Sequence, residues 1–183
     1  MNEKVDKILN EISSVIKKVN PKQIEVLISE ISSANKIVVC GAGRVGMAIR
    51  GFGMRLGHMG LNAYTIGDST VPSIGKGDLF IVASGSGETQ TIYELTKIAK
   101  KNNATVFAIT GNPKSRIGEL SDSMIQLEAP SKTKKIDNLI SIQPMTTLNE
   151  QCLGILFDWI VLEAMNKFNE SHDTMWSRHS NLE

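Results

Sequence analysis

The sequence predicts an α/β protein in which an open parallel sheet carries helices on both faces. Three observations support this class. Short, continuous apolar runs suit strands buried on both faces of a parallel sheet: Lys36-Ile37-Val38-Val39-Cys40, Ala63-Tyr64-Thr65-Ile66, Leu79-Phe80-Ile81-Val82-Ala83, Thr105-Val106-Phe107-Ala108-Ile109 and Met124-Ile125-Gln126-Leu127. These runs alternate with helical segments, and a βα alternation with right-handed crossovers builds such a sheet. Two of the runs end in glycine-rich turns that open into helices, Gly41-Ala42-Gly43-Arg44-Val45-Gly46 and Ser84-Gly85-Ser86-Gly87-Glu88-Thr89. Both turns lie at carboxyl ends of strands, where open α/β sheets bind their ligands.

The elements follow in order. Val5, Ile8, Ile12, Val15 and Val19 recur at helical spacing, and Asn20-Pro21 then supplies a cap and a proline suited to a first helical position. A second helix follows with Ile24, Leu27, Ile28 and Ile31 on its apolar face. After the first glycine turn a helix runs to about residues 58–60, and after the second a helix covers residues 90–101. The densest apolar stretch, residues 152–165, is interrupted by Asp158 and Glu163 and falls short of the ~20 residues a membrane span needs. A helix apolar on nearly all sides needs cover on nearly all sides, from its own sheet and from another subunit. No repeat, low-complexity tract or linker divides the chain. Residues 1–183 read as a single domain with an N-terminal helical extension over about residues 1–34 and a C-terminal tail.

With 183 residues and a formal charge of +1, the chain has no broad electrostatic footprint for nucleic acid, and aromatics at 5% leave few rings for base stacking. The expected ligand is small. The first residues mix acids and bases without the apolar core of a signal peptide. Cys40 and Cys152 supply neither a disulfide framework nor metal-ligand spacing, and read as reduced core residues of a cytoplasmic protein.

The second glycine turn has the chemistry of a phosphate cradle. Gly85 and Gly87 let the backbone approach a ligand, the amides of a helix N-terminus favour an anion, and Ser84, Ser86 and Thr89 add hydroxyls. A helix cap alone also uses such residues. The first turn satisfies G-x-G-x-x-G, and Asp68 sits near the end of the next strand, as a ribose-binding acid would. A dinucleotide-binding enzyme is therefore a rival reading, although its first strand would follow two helices rather than open the chain.

Gly41-Ala42-Gly43-Arg44, residues 54–60 (Met-Arg-Leu-Gly-His-Met-Gly), residues 84–89, residues 144–150 (Pro-Met-Thr-Thr-Leu-Asn-Glu) and the ending Arg178-His179-Ser180-Asn181-Leu182-Glu183 together resemble the 6-phospho-3-hexuloisomerases of the sugar isomerase (SIS) domain superfamily. The resemblance covers nearly the whole chain. It implies a five-stranded parallel sheet between helices, a homotetramer, no cofactor and no metal, and isomerisation of arabino-3-hexulose 6-phosphate to fructose 6-phosphate. The expected substrate-binding residues are Gly43, Arg44 and Val45 of the first loop and Ser84, Gly85, Ser86, Gly87, Glu88 and Thr89 of the second. Val45 departs from the family, which commonly has serine there, so this loop must act through backbone N–H groups and Arg44. Other SIS isomerases and non-catalytic sugar-phosphate sensors are alternatives within the superfamily.

Moving a carbonyl from C3 to C2 requires a base over the C2–C3 bond. By resemblance that base is Glu150; the alternative is an acid stabilising the first turn of the last long helix through its dipole. His179, in the tail beyond that helix, has an imidazole suited to exchanging protons with sugar oxygens, within its own chain or across a subunit boundary; the alternative is a solvated or tail-positioning residue. Arg44 is suited to a phosphate or an enediolate, or to a surface ion pair.

Overall fold

In the computed structural model, which describes residues 2–131 and 140–182, five strands form one all-parallel sheet in the order β2-β1-β3-β4-β5. They are β1 (Ile37–Gly41), β2 (Ala63–Thr65), β3 (Leu79–Ala83), β4 (Thr105–Thr110) and β5 (Ser123–Gln126). Alternation along each strand splits the core into two layers. Ile37, Val39, Leu79, Ile81, Phe107 and Ile109 face one cluster, while Val38, Cys40, Phe80, Val82, Val106 and Ala108 face the other.

The first layer is covered by α1 (Glu3–Ile16), α2 (Pro21–Ser33), α3 (Gly43–His58) and α6 (Thr147–Phe168); the second by α4 (Gln90–Lys101) and the short α5 (Arg116–Leu120). The helices after β1 and β3 thus leave the sheet on opposite faces. Because β1 pairs with both β2 and β3, the strand order reverses between β1 and β3, and a crevice opens at their carboxyl ends. Gly41 and Ala83 are paired in register, so the two glycine loops start at the same level.

Helix α6 runs through the first layer against α1, α2 and α3. Leu148, Cys152, Leu153, Leu156, Phe157, Ile160 and Ala164 are buried, and Phe157 stacks on Phe52 of α3 with ring centroids 4.6 Å apart. Ile155 and Leu162 remain exposed, so one chain does not cover the whole helix. In α1, Val15 joins the core and the following Val19 does too, whereas Val5 stays exposed, so only the later turns are covered within the chain. Among the described residues no helix is long and apolar enough to cross a membrane. Burial pushes the thiols of Cys40 and Cys152 up to about 12, leaving them protonated and unreactive at neutral pH.

A carboxylate on α1 positions the segment that leads into α6. Glu11 accepts hydrogen bonds from Ser141 Oγ at 2.7 Å, the Ile142 amide at 2.8 Å and Gln143 Nε2 at 2.9 Å. Burial pushes this carboxyl up, but the bonds from Gln143, Ile142 and Ser141 outweigh burial and hold it below its ordinary value. A depressed carboxyl contributes stability above its unfolded pKa and loses it as pH falls through the folded one. Acid below the ordinary carboxylate range should therefore loosen residues 141–143. Hydrogen exchange at the Ile142 amide should rise there in the wild type, and be already raised at neutral pH in Glu11→Gln.

The last described segment adds a helix that its length hides from periodicity. α7 (His172–Trp176) is opened by a reciprocal cap between Ser171 and Thr174. Glu183, the last residue of the ending quoted above, lies outside the described residues.

Candidate active site at the sheet switch point

Both glycine loops and the start of α6 enclose one cavity of about 460 Å³ at the β1/β3 crevice. Gly43, Arg44, Val45, Ser84, Gly85, Ser86, Thr89 and Glu150 all line it, with residues 144–147 as its outer wall. Eight residues expected from sequence thus meet in one place. Gly87 and Glu88 belong to the same loop but do not line the cavity, and His179 lies elsewhere.

The second loop is shaped by its own hydroxyls. The Gly87 amide donates to Ser84 O at 3.0 Å and to Ser84 Oγ at 3.1 Å, and the Glu88 amide donates to Ser86 Oγ at 3.2 Å. Ser84 Oγ also meets Thr89 Oγ1 at 3.2 Å. Serine therefore folds the loop as well as facing the cavity. The amides of Gly85, Ser86, Thr89 and Gln90 find no protein acceptor among the described residues, and Thr89 places no side-chain cap on α4. Unpaired amides at the positive end of a helix dipole suit an anion. Gly87 is required here, because its φ is +68° and a Cβ would stand 1.8 Å from Ser115 Oγ.

Glu88 turns its carboxylate away from this cradle. Oε2 accepts from Arg116 Nε at 2.7 Å and Oε1 from the Arg116 amide at 3.0 Å, and these bonds hold the carboxyl below its ordinary value. Arg116 in turn lies over the Tyr93 ring, 4.5 Å from its centroid. The carboxylate's repulsion is thus neutralised beside the anion cradle, and Glu88 contributes backbone to the loop.

Glu150 sits in the first turn of α6 with its side chain 13% exposed. Oε1 accepts from Thr146 Oγ1 at 2.8 Å. Oε2 lies 3.0 Å from Arg44 Nη1, a close charge contact that is not aligned as a hydrogen bond. Arg44, 59% exposed, also donates to Thr147 Oγ1 at 3.2 Å. Read from sequence as a ligand-facing cation or one half of an ion pair, it lines the cavity and meets the carboxylate there. A guanidinium in this place can offset negative charge developing on a ligand held between the two groups.

The G-x-G-x-x-G pattern has a packing explanation in this fold. A Cβ on Gly46 would stand 2.6 Å from Gly41 O, so the pattern lets α3 sit tightly on β1. Asp68, the acid a ribose would need, pairs with Arg50 at 3.6 Å and lines a different depression.

That depression, about 600 Å³, also holds His179 together with His58, Tyr64 and Arg178. The tail is tied there by Arg178, which donates to His58 O and to Glu170, both at 2.8 Å. The His179 ring lies 5.3 Å from His58 and 5.2 Å from Trp176 by centroids. Arg44 opens the first cavity near the start of α3 and His58 closes the second at its end, about 21 Å apart at 1.5 Å per residue. One chain alone does not bring His179 to Glu150.

Asn149 was not anticipated. It is 1% exposed, lines the main cavity, and both its Oδ1 and its Nδ2 lack a partner. Its position next to Glu150 was legible, but neighbours on a helix do not face each other, and that both line the cavity depends on how the start of α6 enters the crevice.

The signature of the SIS domain matches residues 30–153. The chain is 37% identical to the 3-hexulose-6-phosphate isomerase of Bacillus subtilis (strain 168), over 99% of this chain and 98% of that protein. It is 36% identical to the protein of the same name from Mycobacterium gastri, over 95% of this chain and 87% of that one. Among solved structures, a hypothetical protein from Methanococcus jannaschii, whose crystal structure was taken to infer a 3-hexulose-6-phosphate isomerase function, superposes with a TM-score of 0.85 and 35% identity over 99% of both chains. Fold, loop positions and these similarities agree: the chain belongs to the SIS domain family, in the group of the 3-hexulose-6-phosphate isomerases.

Proposed function

We propose that this chain interconverts D-arabino-hex-3-ulose 6-phosphate and D-fructose 6-phosphate through an enediolate, with no cofactor. The observation that carries the reading is the placement of the Glu150 carboxylate in the same cavity as Gly85, Ser86 and Thr89, whose amides find no acceptor among the described residues. A cradle that fixes the phosphate at one end of a six-carbon chain presents the middle carbons to a base at the other wall.

The phosphate binds at residues 84–89 through the free amides and the hydroxyls of Ser84, Ser86 and Thr89. Glu150 takes the proton from C2; the electron pair becomes the C2–C3 double bond, and the C3 carbonyl oxygen takes the negative charge. O2 gives up its proton and O3 gains one, while protonated Glu150 returns a proton to C3. The carbonyl then stands at C2. Arg44, which already meets Glu150 and Thr147, turns part of its charge to the enediolate. Val45 offers no hydroxyl to the sugar, so this loop contributes through Gly43, Arg44 and its backbone.

The exposed apolar residues of α3 and α6, Met47, Met54, Ile155 and Leu162, support a homo-oligomer, by family resemblance a tetramer. In that assembly His179 serves the Glu150 of a neighbouring subunit, exchanging protons with the sugar oxygens. Light scattering should give a mass above that of one chain. Mixing inactive Glu150→Gln and His179→Ala subunits should restore about a quarter of wild-type activity, since one subunit supplies each intact group. No recovery on mixing would confine His179 to its own chain. The buried free thiols fit a cytoplasmic setting.

The reaction itself is tested by supplying arabino-3-hexulose 6-phosphate and measuring fructose 6-phosphate, with aldose 6-phosphates as controls. Product from the 3-ketose alone supports the reading, and turnover of an aldose phosphate but not the 3-ketose overturns it.

A further inference from the structure

We infer that the Asn149 carboxamide binds the substrate's adjacent carbonyl and hydroxyl oxygens and holds them over Glu150, an inference that rests on the isomerase reading above. Asn149 is 1% exposed and lines the cavity, and neither Oδ1 nor Nδ2 has a hydrogen-bond partner. It stands between the two working parts of the site. A Cβ on Gly85 in the cradle would come within 2.9 Å of Oδ1 and 3.1 Å of Nδ2, and Glu150 is the next residue along α6.

A buried amide with both ends unpaired is costly, and an apolar residue of the same shape would be neutral or better for the fold alone. The group makes sense when something bound in the cavity pairs both ends. The sugar's phosphate monoester does not, because as a dianion its oxygens only accept; it would satisfy Nδ2 and set Oδ1 against negative charge. A carbonyl beside a hydroxyl does. Nδ2–H donates to the carbonyl oxygen and Oδ1 accepts from the neighbouring O–H, and as the enediolate forms the Nδ2–H bond strengthens onto the oxyanion. The same amide fits the 3-keto, 2-hydroxy substrate and the 2-keto, 3-hydroxy product by exchanging which oxygen each end meets. A sugar phosphate whose carbonyl–hydroxyl pair does not lie at C2 and C3 would leave the carboxamide unsatisfied, so the residue also selects for that placement of the carbonyl.

The test compares two ligands in two variants. Inorganic phosphate probes the cradle alone; fructose 6-phosphate probes cradle and carbonyl–hydroxyl pair together. Asn149→Leu removes both polar ends at similar size, and Asn149→Ala removes them without added bulk; neither puts a charge beside the cradle. In calorimetric titrations both variants should bind inorganic phosphate within about twofold of wild type and fructose 6-phosphate about tenfold or more weakly. The thermal midpoint of Asn149→Leu should be unchanged or raised, which a merely structural role for the amide would not give. Equal weakening for both ligands would make Asn149 part of the phosphate cradle and overturn the inference, as would unchanged fructose 6-phosphate binding. If Asn149→Leu does not fold, Asn149→Ala is judged on the same ratio. Wild type that binds fructose 6-phosphate but does not turn over the 3-ketose would strike the isomerase reading, while the ratio of affinities still judges Asn149.

Discussion

Glu150→Gln is expected to lower turnover by about 10² or more while leaving fructose 6-phosphate affinity within a few-fold of wild type. Glutamine keeps the length of the side chain and still accepts from Thr146, so the geometry of the first turn of α6 survives. What it loses is basicity. The competing account, an acid that steadies the helix through its dipole, predicts a stability change of ~0.3–1 kcal/mol and no kinetic defect. Losing the contact with Arg44 adds little to that, since the guanidinium is mostly exposed. Steady-state kinetics with arabino-3-hexulose 6-phosphate and a thermal melt, run on the same preparation, separate the two. A large fall in kcat with an unchanged midpoint is the expected pair, and near wild-type turnover would return Glu150 to a structural role.

Gly87→Ala should damage both the cradle and the fold around it. The position has a left-handed φ of +68°, and a Cβ would lie 1.8 Å from Ser115 Oγ and 2.4 Å from Ser115 Cβ. Ser115 cannot easily yield, because its hydroxyl accepts from the Gly118 amide at 3.2 Å and donates to Asn112 O at 2.6 Å, capping α5. The backbone strain alone costs ~1–3 kcal/mol. Relief by moving the loop would pull the Gly87 amide from Ser84 and misplace the free amides beside it. A lowered thermal midpoint together with inorganic phosphate binding weakened about tenfold or more is expected. Unaltered phosphate affinity would mean that the anion binds elsewhere.

Much of this architecture was legible in the sequence because strong local signals agreed. The α4 limits at residues 90–101 coincide with the expected helix, since the apolar strand and the glycine turn fix its start. The doubly covered sheet followed from apolar runs without alternation, and the convergence of the two loops from their positions at strand ends. Less was readable where contacts join distant segments. α5 and α7 have five residues each, too short for a 3.6-residue period to register. Arg44 could be placed in a ligand loop, but its turn toward Glu150 depends on how α6 enters the crevice. Asn149 was hidden for the same reason. His179 was rightly placed beyond the last long helix, yet its packing on His58 and Trp176 is set by the bond from Arg178 to the end of α3.

The central claim is that a base in the switch-point cavity works on the C2–C3 bond, and proton exchange tests it most directly. Fructose 6-phosphate incubated with the wild-type protein in D₂O is followed by proton NMR. Removal of the C3 proton leads to the 3-ketose, whereas removal of a C1 proton leads to an aldose. The account predicts loss of the C3 signal alone, with both C1 protons retained, and no such loss with Glu150→Gln. Exchange at C1 with C3 retained would contradict it.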